Sequence, residues 1–483
     1  MKGRSEMKAP FSAFLDAAVP ALRELIAQLK KRYDYVSLLG TDSVGFSLRI
    51  SQRSKSLGSD TMMTERGFVV RVARQGLYSE AAFNDQDLSD AQALAERLTA
   101  ELSAQLDLLK ELETQPYVTG LLPDEPRELR VEMETGRLPE TEDLSGLVQR
   151  LCALSDEGVA RGKDVLDCIA SAQSTHVCKL FLTQNQELRQ SYVYSEGWVA
   201  CLGARNGRNE MGRGDVSDRC GPELFDDLAP ALAEALRITE ELLEADRIDP
   251  GTYDIITAPD VTGLIAHEAF GHGVEMDMFV KERALGAAYL GKRVGSDRVT
   301  MHEGAACIRQ VASYAFDDEG TPAGDVTEIE HGILQTGICD ALSALRLGVS
   351  PTGNGKRQNF EHKVYTRMTN TLFDSGTDTF EDMIASVKDG FLLDNPSSGM
   401  EDPKHWGIQC IVQRGYEIRD GRLTGRVVAP VVMTGYVPDL LGSVSMVSPH
   451  REAFGNGGCG KGHKEWVKVS DGGPYLKAKA RLG

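Results

Sequence analysis

Leu22, Leu25, Ile26 and Leu29 recur at intervals of three and four, the spacing that lines one face of an α-helix, and Pro20 suits that helix's first turn. The period then drops to two. Val44, Phe46, Leu48 and Ile50 alternate with other residues, as do Phe68, Val70 and Val72 after Gly67, and both runs predict strands. Helical spacing returns over residues 88–112, carried by Leu94, Leu98 and Leu102. Pro116, Pro123, Pro126 and Pro139 make 115–140 an extended connection. A helix is predicted over 143–161, strands over 177–183 and 191–202, and a mobile polar loop over 203–221. Leu224, Leu228, Leu232 and Leu236 mark one more helix, ending near Ala245.

Asp249-Pro250-Gly251 reads as a turn, and a domain boundary is placed there, dividing the chain into 1–248 and 249–483. Beyond it the texture changes. A short strand over 253–257 leads into a helix opened by Pro259 and Asp260, with Leu264 and Ile265 on its buried face. Short strands and tight turns follow. Glu330-His331-Gly332-Ile333 and Arg419-Asp420-Gly421-Arg422 are predicted hairpins. Helices are expected near 339–347 and 379–388, the second stopped by Gly390. The whole reads as α+β. An N-terminal α/β domain with a mixed or antiparallel sheet precedes an antiparallel β-rich, barrel-like C-terminal domain.

Composition narrows the function. With 41% hydrophobic and 26% charged residues, the chain has the make-up of an ordinary globular protein. Its 53 basic and 72 acidic residues give −19, which argues against nucleic acid or an anionic membrane as the main partner. No apolar run approaches the ~20 residues of a membrane span, and the polar start is not that of a signal peptide. Nine cysteines without a C-x-x-C pair do not resemble a disulfide framework, so a reducing cytoplasm is the expected location.

Candidate chemistry concentrates in Ala266-His267-Glu268-Ala269-Phe270-Gly271-His272-Gly273. Histidine is scarce, nine in 483 residues, yet two of them bracket an acid here. Two imidazoles can hold a divalent metal, and a neighbouring carboxylate can act as base on a water the metal polarises. The H-E-x-x-x-H spacing carries one residue more than the H-E-x-x-H of zinc peptidases. In a regular helix residues five apart point about 140° from each other, against about 40° for residues four apart. The pair can share a metal only if the helix bulges or ends between them, and Gly271 and Gly273 allow that. Otherwise one histidine packs and the other is exposed. A catalytic metal also needs a third protein ligand; Glu275, Asp277, His302, His331, His362, Cys459 and His463 are the candidates. Cys459 lies in the glycine-rich run Phe454-Gly455-Asn456-Gly457-Gly458-Cys459-Gly460-Lys461-Gly462. A lone cysteine is more often a small buried hydrophobe.

Five motifs occur in order. After H-E-A-F-G-H-G come Phe316-Asp317-Asp318-Glu319-Gly320-Thr321-Pro322 and Pro351-Thr352-Gly353-Asn354-Gly355-Lys356-Arg357. Arg367-Met368-Thr369-Asn370-Thr371 and Gly458-Cys459-Gly460-Lys461 complete the set. In these the chain resembles the TldD/PmbA family of metallopeptidases, and its TldD branch in particular. The resemblance implies one zinc ion per catalytic chain, held by His267, His272 and Cys459, with Glu268 as general base. It implies an N-terminal α/β domain, a β-rich C-terminal domain, and a cavity enclosed in a dimer. That dimer is formed with a second copy or with a non-catalytic TldE/PmbA-like paralogue. It further implies cleavage of unfolded peptides, including the leaders of modified peptides. A thiolate leaves the zinc about one net positive charge, so water is acidified less and Glu268 matters more. Asn354, Arg357, Arg367 and Asn370 match family motifs and read as substrate contacts or as loop-fixing hydrogen bonds. Glu275 and Asp277 either orient imidazole or are solvated acids. Pro396-Ser397-Ser398-Gly399-Met400 replaces a glycine run common in relatives, which bears on substrate preference. Two other readings stand beside this one: a cysteine hydrolase using Cys459 with His463, and a catalytically silent peptide-binding subunit.

Overall fold

The Ser12 hydroxyl accepts from the Leu15 amide at 3.1 Å and opens α1 (Ala13–Leu29), so Pro20 lies inside the helix, not in its first turn. A side-chain cap is the stronger start signal, and Pro20 sits on the exposed face, where water can serve the carbonyl it leaves unbonded. These coordinates come from a computed structural model that describes residues 7–58, 65–84, 88–111, 117–461 and 465–483. Leu112 and His463 fall outside the described residues.

The first half continues with β1 (Tyr35–Ile50), β2 (Glu65–Arg74), β3 (Leu77–Phe83), α2 (Ala91–Glu111), α3 (Leu144–Arg161), β4 (Val165–Thr183), β5 (Gln186–Arg205), β6 (Arg208–Asp218) and α4 (Ala229–Glu244). Its strands form one sheet in the order β6-β5-β4-β1-β2-β3. A short strand, Arg127–Glu132, joins β5 in parallel; the other pairings are antiparallel. Strand alternation sends neighbours to opposite faces. Leu38 packs under α1 and α2 with Leu22, Leu98 and Leu180, whereas Leu39 lies with Phe181 of β4 against Phe316 of the second half. Residues 203–221 are not the expected loop. Asn206 and Gly207, both at positive φ, make a two-residue turn, and the chain returns as β6 paired along its length with β5. Gly212 and Gly214 make its approach to α4 possible, since a Cβ at either would overlap α4 backbone.

The second half holds β7 (Gly251–Thr257), α5 (Pro259–Leu264), β8 (Met301–Glu303), β9 (Val326–Glu330), β10 (Asn370–Phe373), β11 (Asp389–Asp402), β12 (Gly407–Arg419), β13 (Val431–Tyr436), β14 (Met446–Gly460) and β15 (Trp466–Leu482). β7, β11, β12, β13 and β15 pair in sequence and β15 returns to β7, which closes a five-stranded ring. β14, β10, β8 and β9 extend from it as part of the same sheet. Both predicted hairpins are present, with His331-Gly332 and Asp420-Gly421 at positive φ in their turns. The predicted helices appear as Ala341–Leu347 and Phe380–Ala385. No helix among the described residues is long and apolar enough to cross a membrane.

The two sheets are joined by charge. Arg71 of β2 bonds Glu319, Lys179 of β4 bonds Asp318, and Arg357 donates to both carboxyl oxygens of Glu80 on β3 at 2.9 and 2.6 Å. The Gln190 side-chain amide of β5 donates a hydrogen bond to the Phe316 carbonyl at 2.7 Å.

Candidate metal centre

β7 delivers the chain into α5, and from Ile265 to Gly271 the helix widens into a π-helical turn. The His272 amide bonds the His267 carbonyl, an i→i+5 link between the two histidines themselves. That one bond replaces the regular geometry that would have pointed the imidazoles apart. Their rings now stand 5.2 Å apart, nearly perpendicular. Gly271 leaves space for Met368, whose sulfur a Cβ would overlap. A short 3₁₀ turn, His272–Val274, ends the run.

Cys459 comes from the end of β14, paired with Val467 of β15. Its Sγ lies 3.3 Å from His272 Nε2, and ligand atoms of His267, His272 and Cys459 all fall within 4.8 Å of one another. Burial alone would raise the Cys459 thiol, but the two imidazoles hold it well below its ordinary value. They are raised in turn: burial opposes their protonation and Cys459 outweighs it, with Glu275 adding to the effect at His272. His267 is 4% exposed, and its Nδ1 has no hydrogen-bond partner. An orphaned buried nitrogen beside a second imidazole and a thiolate is a donor set that a zinc-like cation fits.

The layer behind the donors is ordered. Glu275 accepts from His272 Nδ1 at 3.2 Å, which directs Nε2 toward Cys459. Lys461 bridges Glu275 at 3.1 Å and Asp277 at 2.8 Å. Burial would raise the Glu275 carboxyl, yet Lys461, His272 and Arg367 keep it far below the carboxylate range. Arg367, fully buried, donates to the Cys459 carbonyl at 2.7 Å and to the Glu465 carbonyl at 3.1 Å, fixing the strands on both sides of the thiol.

The other motif residues lie elsewhere. The Asn354 amide donates to Glu303 at 3.0 Å and to the Arg367 carbonyl at 3.1 Å; that of Asn370 donates to the Gly304 carbonyl at 3.0 Å. Both are buried loop fixtures. Arg357 faces Glu80 across the join between the sheets and lines a separate cavity of about 460 Å³ together with His362. His302 lies between Asp325 and Asp374, and His331 occupies a hairpin turn.

A cavity of about 750 Å³ opens over the donors. Glu268, half-buried, lines it. Gly399 faces Glu268, whose Cγ would be overlapped by a Cβ there, so the Pro396–Met400 segment forms the wall beside that carboxylate. Glu401 and Asp471 line the same cavity, and neither stood out in the sequence. Asp471 enters only through the pairing of β15 with β10 and β14, which no local pattern announces. Burial lifts its carboxyl to about 6, with His267 opposing and Glu268 adding to the rise.

Residues 250–480 match the family model described as the PmbA/TldA metallopeptidase C-terminal domain. A metalloprotease of Synechocystis is 27% identical over 466 residues, 95% of this chain and 96% of that protein. A metalloprotease TldD homolog of Haemophilus influenzae is 31% identical over 287 residues, 58% of this chain and 59% of its own length. A zinc metalloprotease TldD homolog of Saccharolobus solfataricus is 29% identical, over 53% of this chain and 57% of its own. The crystal structure of TldE from Thermococcus kodakarensis superposes with a TM-score of 0.73 at 16% identity, covering 96% of this chain and all of that one, and so shares the fold.

Proposed function

Given that the chain belongs to the TldD/PmbA family, we propose that it is a zinc-dependent peptidase of the TldD branch, acting on unfolded peptides. The observation that carries this reading is the π-helical turn, which gathers His267, His272 and Cys459 while leaving Glu268 on the cavity wall. These three side chains would hold the metal, and its chemistry there is to polarise the scissile carbonyl and acidify water.

Glu268 takes the proton of the attacking water and returns it to the leaving amine. Glu275 keeps His272 in one tautomer, and Arg367 holds the backbone of Cys459. The thiolate neutralises one charge of the cation, so more of the proton transfer falls to Glu268. The protein works with a second copy of itself or with a non-catalytic paralogue, in the cytoplasm.

Cys459, His272 and Glu275 also form a hydrogen-bonded line of thiol, imidazole and carboxylate, the arrangement of a cysteine hydrolase. That reading leaves His267 Nδ1 without a role. Metal analysis with a peptide-degradation assay separates the two. Glu268→Gln should keep full zinc and lose hydrolysis by 10²-fold or more, while Cys459→Ala should lose both. Activity that survives a strong chelator, or an active Glu268→Gln, would overturn the metallopeptidase reading.

A further inference from the structure

We propose that Asp471 makes the cavity select peptides that carry a cationic group, an ammonium or guanidinium, close to the scissile bond. The inference rests on the peptidase reading and specifies its substrate.

The charges lining the cavity are unequal. Glu268, Glu275, Glu401 and Asp471 are acidic, and apart from the donor histidines Lys461 is the one basic side chain among the described lining residues. Lys461 is committed: its ammonium is held between Glu275, Asp277 and the Thr366 carbonyl. The imidazoles that face Asp471 and Glu401, His267 and His272, are the candidate metal donors, and no described lining lysine or arginine faces Glu268, Glu401 or Asp471. A cavity of one sign with low-dielectric walls raises the local concentration of the opposite sign.

Two of these acids bracket the metal donors. Asp471 lies against Gly263, where a Cβ would overlap its Oδ1, on the α5 side of His267. Glu401 lies against Gly273, just beyond His272. They differ in reach. Both Glu401 carboxyl oxygens are enclosed and have no hydrogen-bond partner, so Glu401 adds to the acidic wall without being open to a ligand. Asp471 is half-buried on the cavity wall, and its carboxyl makes no hydrogen bond or ion pair with the described residues. Its backbone is held on both sides, by Thr371 of β10 and Phe454 of β14. A carboxyl fixed in place, partly desolvated and without a donor is an acceptor preset for a cation. The α-ammonium of a peptide and the side chain of lysine or arginine both offer that donor.

The test uses the zinc-loaded full-length Glu268→Gln protein and titration calorimetry with unfolded peptides of one length. One series replaces lysine by norleucine, and a second acetylates the amino terminus. Binding about 10- to 100-fold tighter for the cationic member is expected, lost in Glu268→Gln/Asp471→Asn and retained in Glu268→Gln/Asp471→Glu, with zinc content unchanged. Loss of the preference on acetylation assigns it to the α-ammonium; loss with norleucine assigns it to the side chain. Both support the proposal. Equal binding of all members, or a preference that persists in the Asp471→Asn protein, overturns it. Wild-type hydrolysis of the peptides with no charge preference overturns this inference alone. Absence of both binding and hydrolysis for every peptide overturns the peptidase reading as well.

Discussion

The candidate metal centre and the join between the two sheets are both buried polar clusters that draw on the chain's most distinctive motifs, yet they are satisfied to different degrees. At the join, Arg71, Lys179 and Arg357 are matched by Glu319, Asp318 and Glu80, with Arg71 also bonding Glu80 at 2.6 Å. At the metal centre His267 Nδ1 and both Glu401 oxygens lack hydrogen-bond partners, and Glu275 Oε1 and Arg367 Nε meet only as an ion pair at 3.6 Å, whereas at the join Arg357 Nε is left unpaired. Native interiors seldom leave such groups unmatched. The cluster at the join is nearly complete as folded; the other leaves more of its polar atoms open, as a site built for a ligand would.

The sharpest way to break this contrast is to cut each cluster once. Arg357→Ala removes the bidentate partner of Glu80, and both side chains are largely buried, at 4% and 18% exposure. The expected loss is about 3 kcal/mol, the low end for breaking a buried pair, because Arg71 still neutralises Glu80. Zinc stoichiometry should not change. His267→Ala should do the reverse, abolishing zinc binding while metal-free stability changes much less. Chemical denaturation and metal analysis on the two proteins measure both effects. If Arg357→Ala lost zinc at unchanged stability, the division between the clusters would be wrong.

A smaller effect probes the layer behind the donors. Glu275→Gln keeps the shape beside His272 but removes the charge that Lys461 and Arg367 face. Removing such an orienting carboxylate weakens metal binding by about 10- to 100-fold. Competition against a calibrated chelator should show that loss with the fold intact; unchanged affinity would mean that Glu275 serves only Lys461.

Much of the strand and helix pattern could be read in the sequence where an element buries a face: the alternation of Phe68, Val70 and Val72 and the spacing of Leu94, Leu98 and Leu102 are direct consequences of burial. Strand β6 could not be, since its glycines are cut to fit α4 and no apolar alternation marks it. The helical distortion at the two histidines was legible as a requirement: their spacing demanded a bulge or a helix end, and the flanking glycines allowed one. Its form as a π-turn was not. Asn354, Arg357 and Asn370 show the opposite limit. Polar residues in a glycine-rich motif look alike in sequence whether they meet a ligand, a loop carbonyl or another sheet, and only Arg367 of the four touches the backbone of the metal centre.

The smallest predicted effect distinguishes two acids at the join by the sign of their pH dependence. Burial would raise the Glu80 carboxyl, but Arg357 and Arg71 hold it well below its ordinary 4.5. A depressed folded value means that its stabilisation is present above about pH 4.5 and decays as pH falls further. Glu65, which accepts from the Phe360 amide at 2.8 Å, is instead raised by burial to about 7. A raised folded value means that its contribution is full below its ordinary 4.5 and is lost as pH climbs from there to about 7. Denaturation midpoints from pH 3 to pH 8 should therefore respond oppositely. Glu80→Gln should flatten the acid limb, a change of about 2 kcal/mol, while Glu65→Gln should flatten the fall between about pH 4.5 and 7 and leave the acid limb in place. If both variants altered the same limb, the two carboxyls would have to share one electrostatic environment, and the contrast between a neutralised Glu80 and a buried, unneutralised Glu65 would fail.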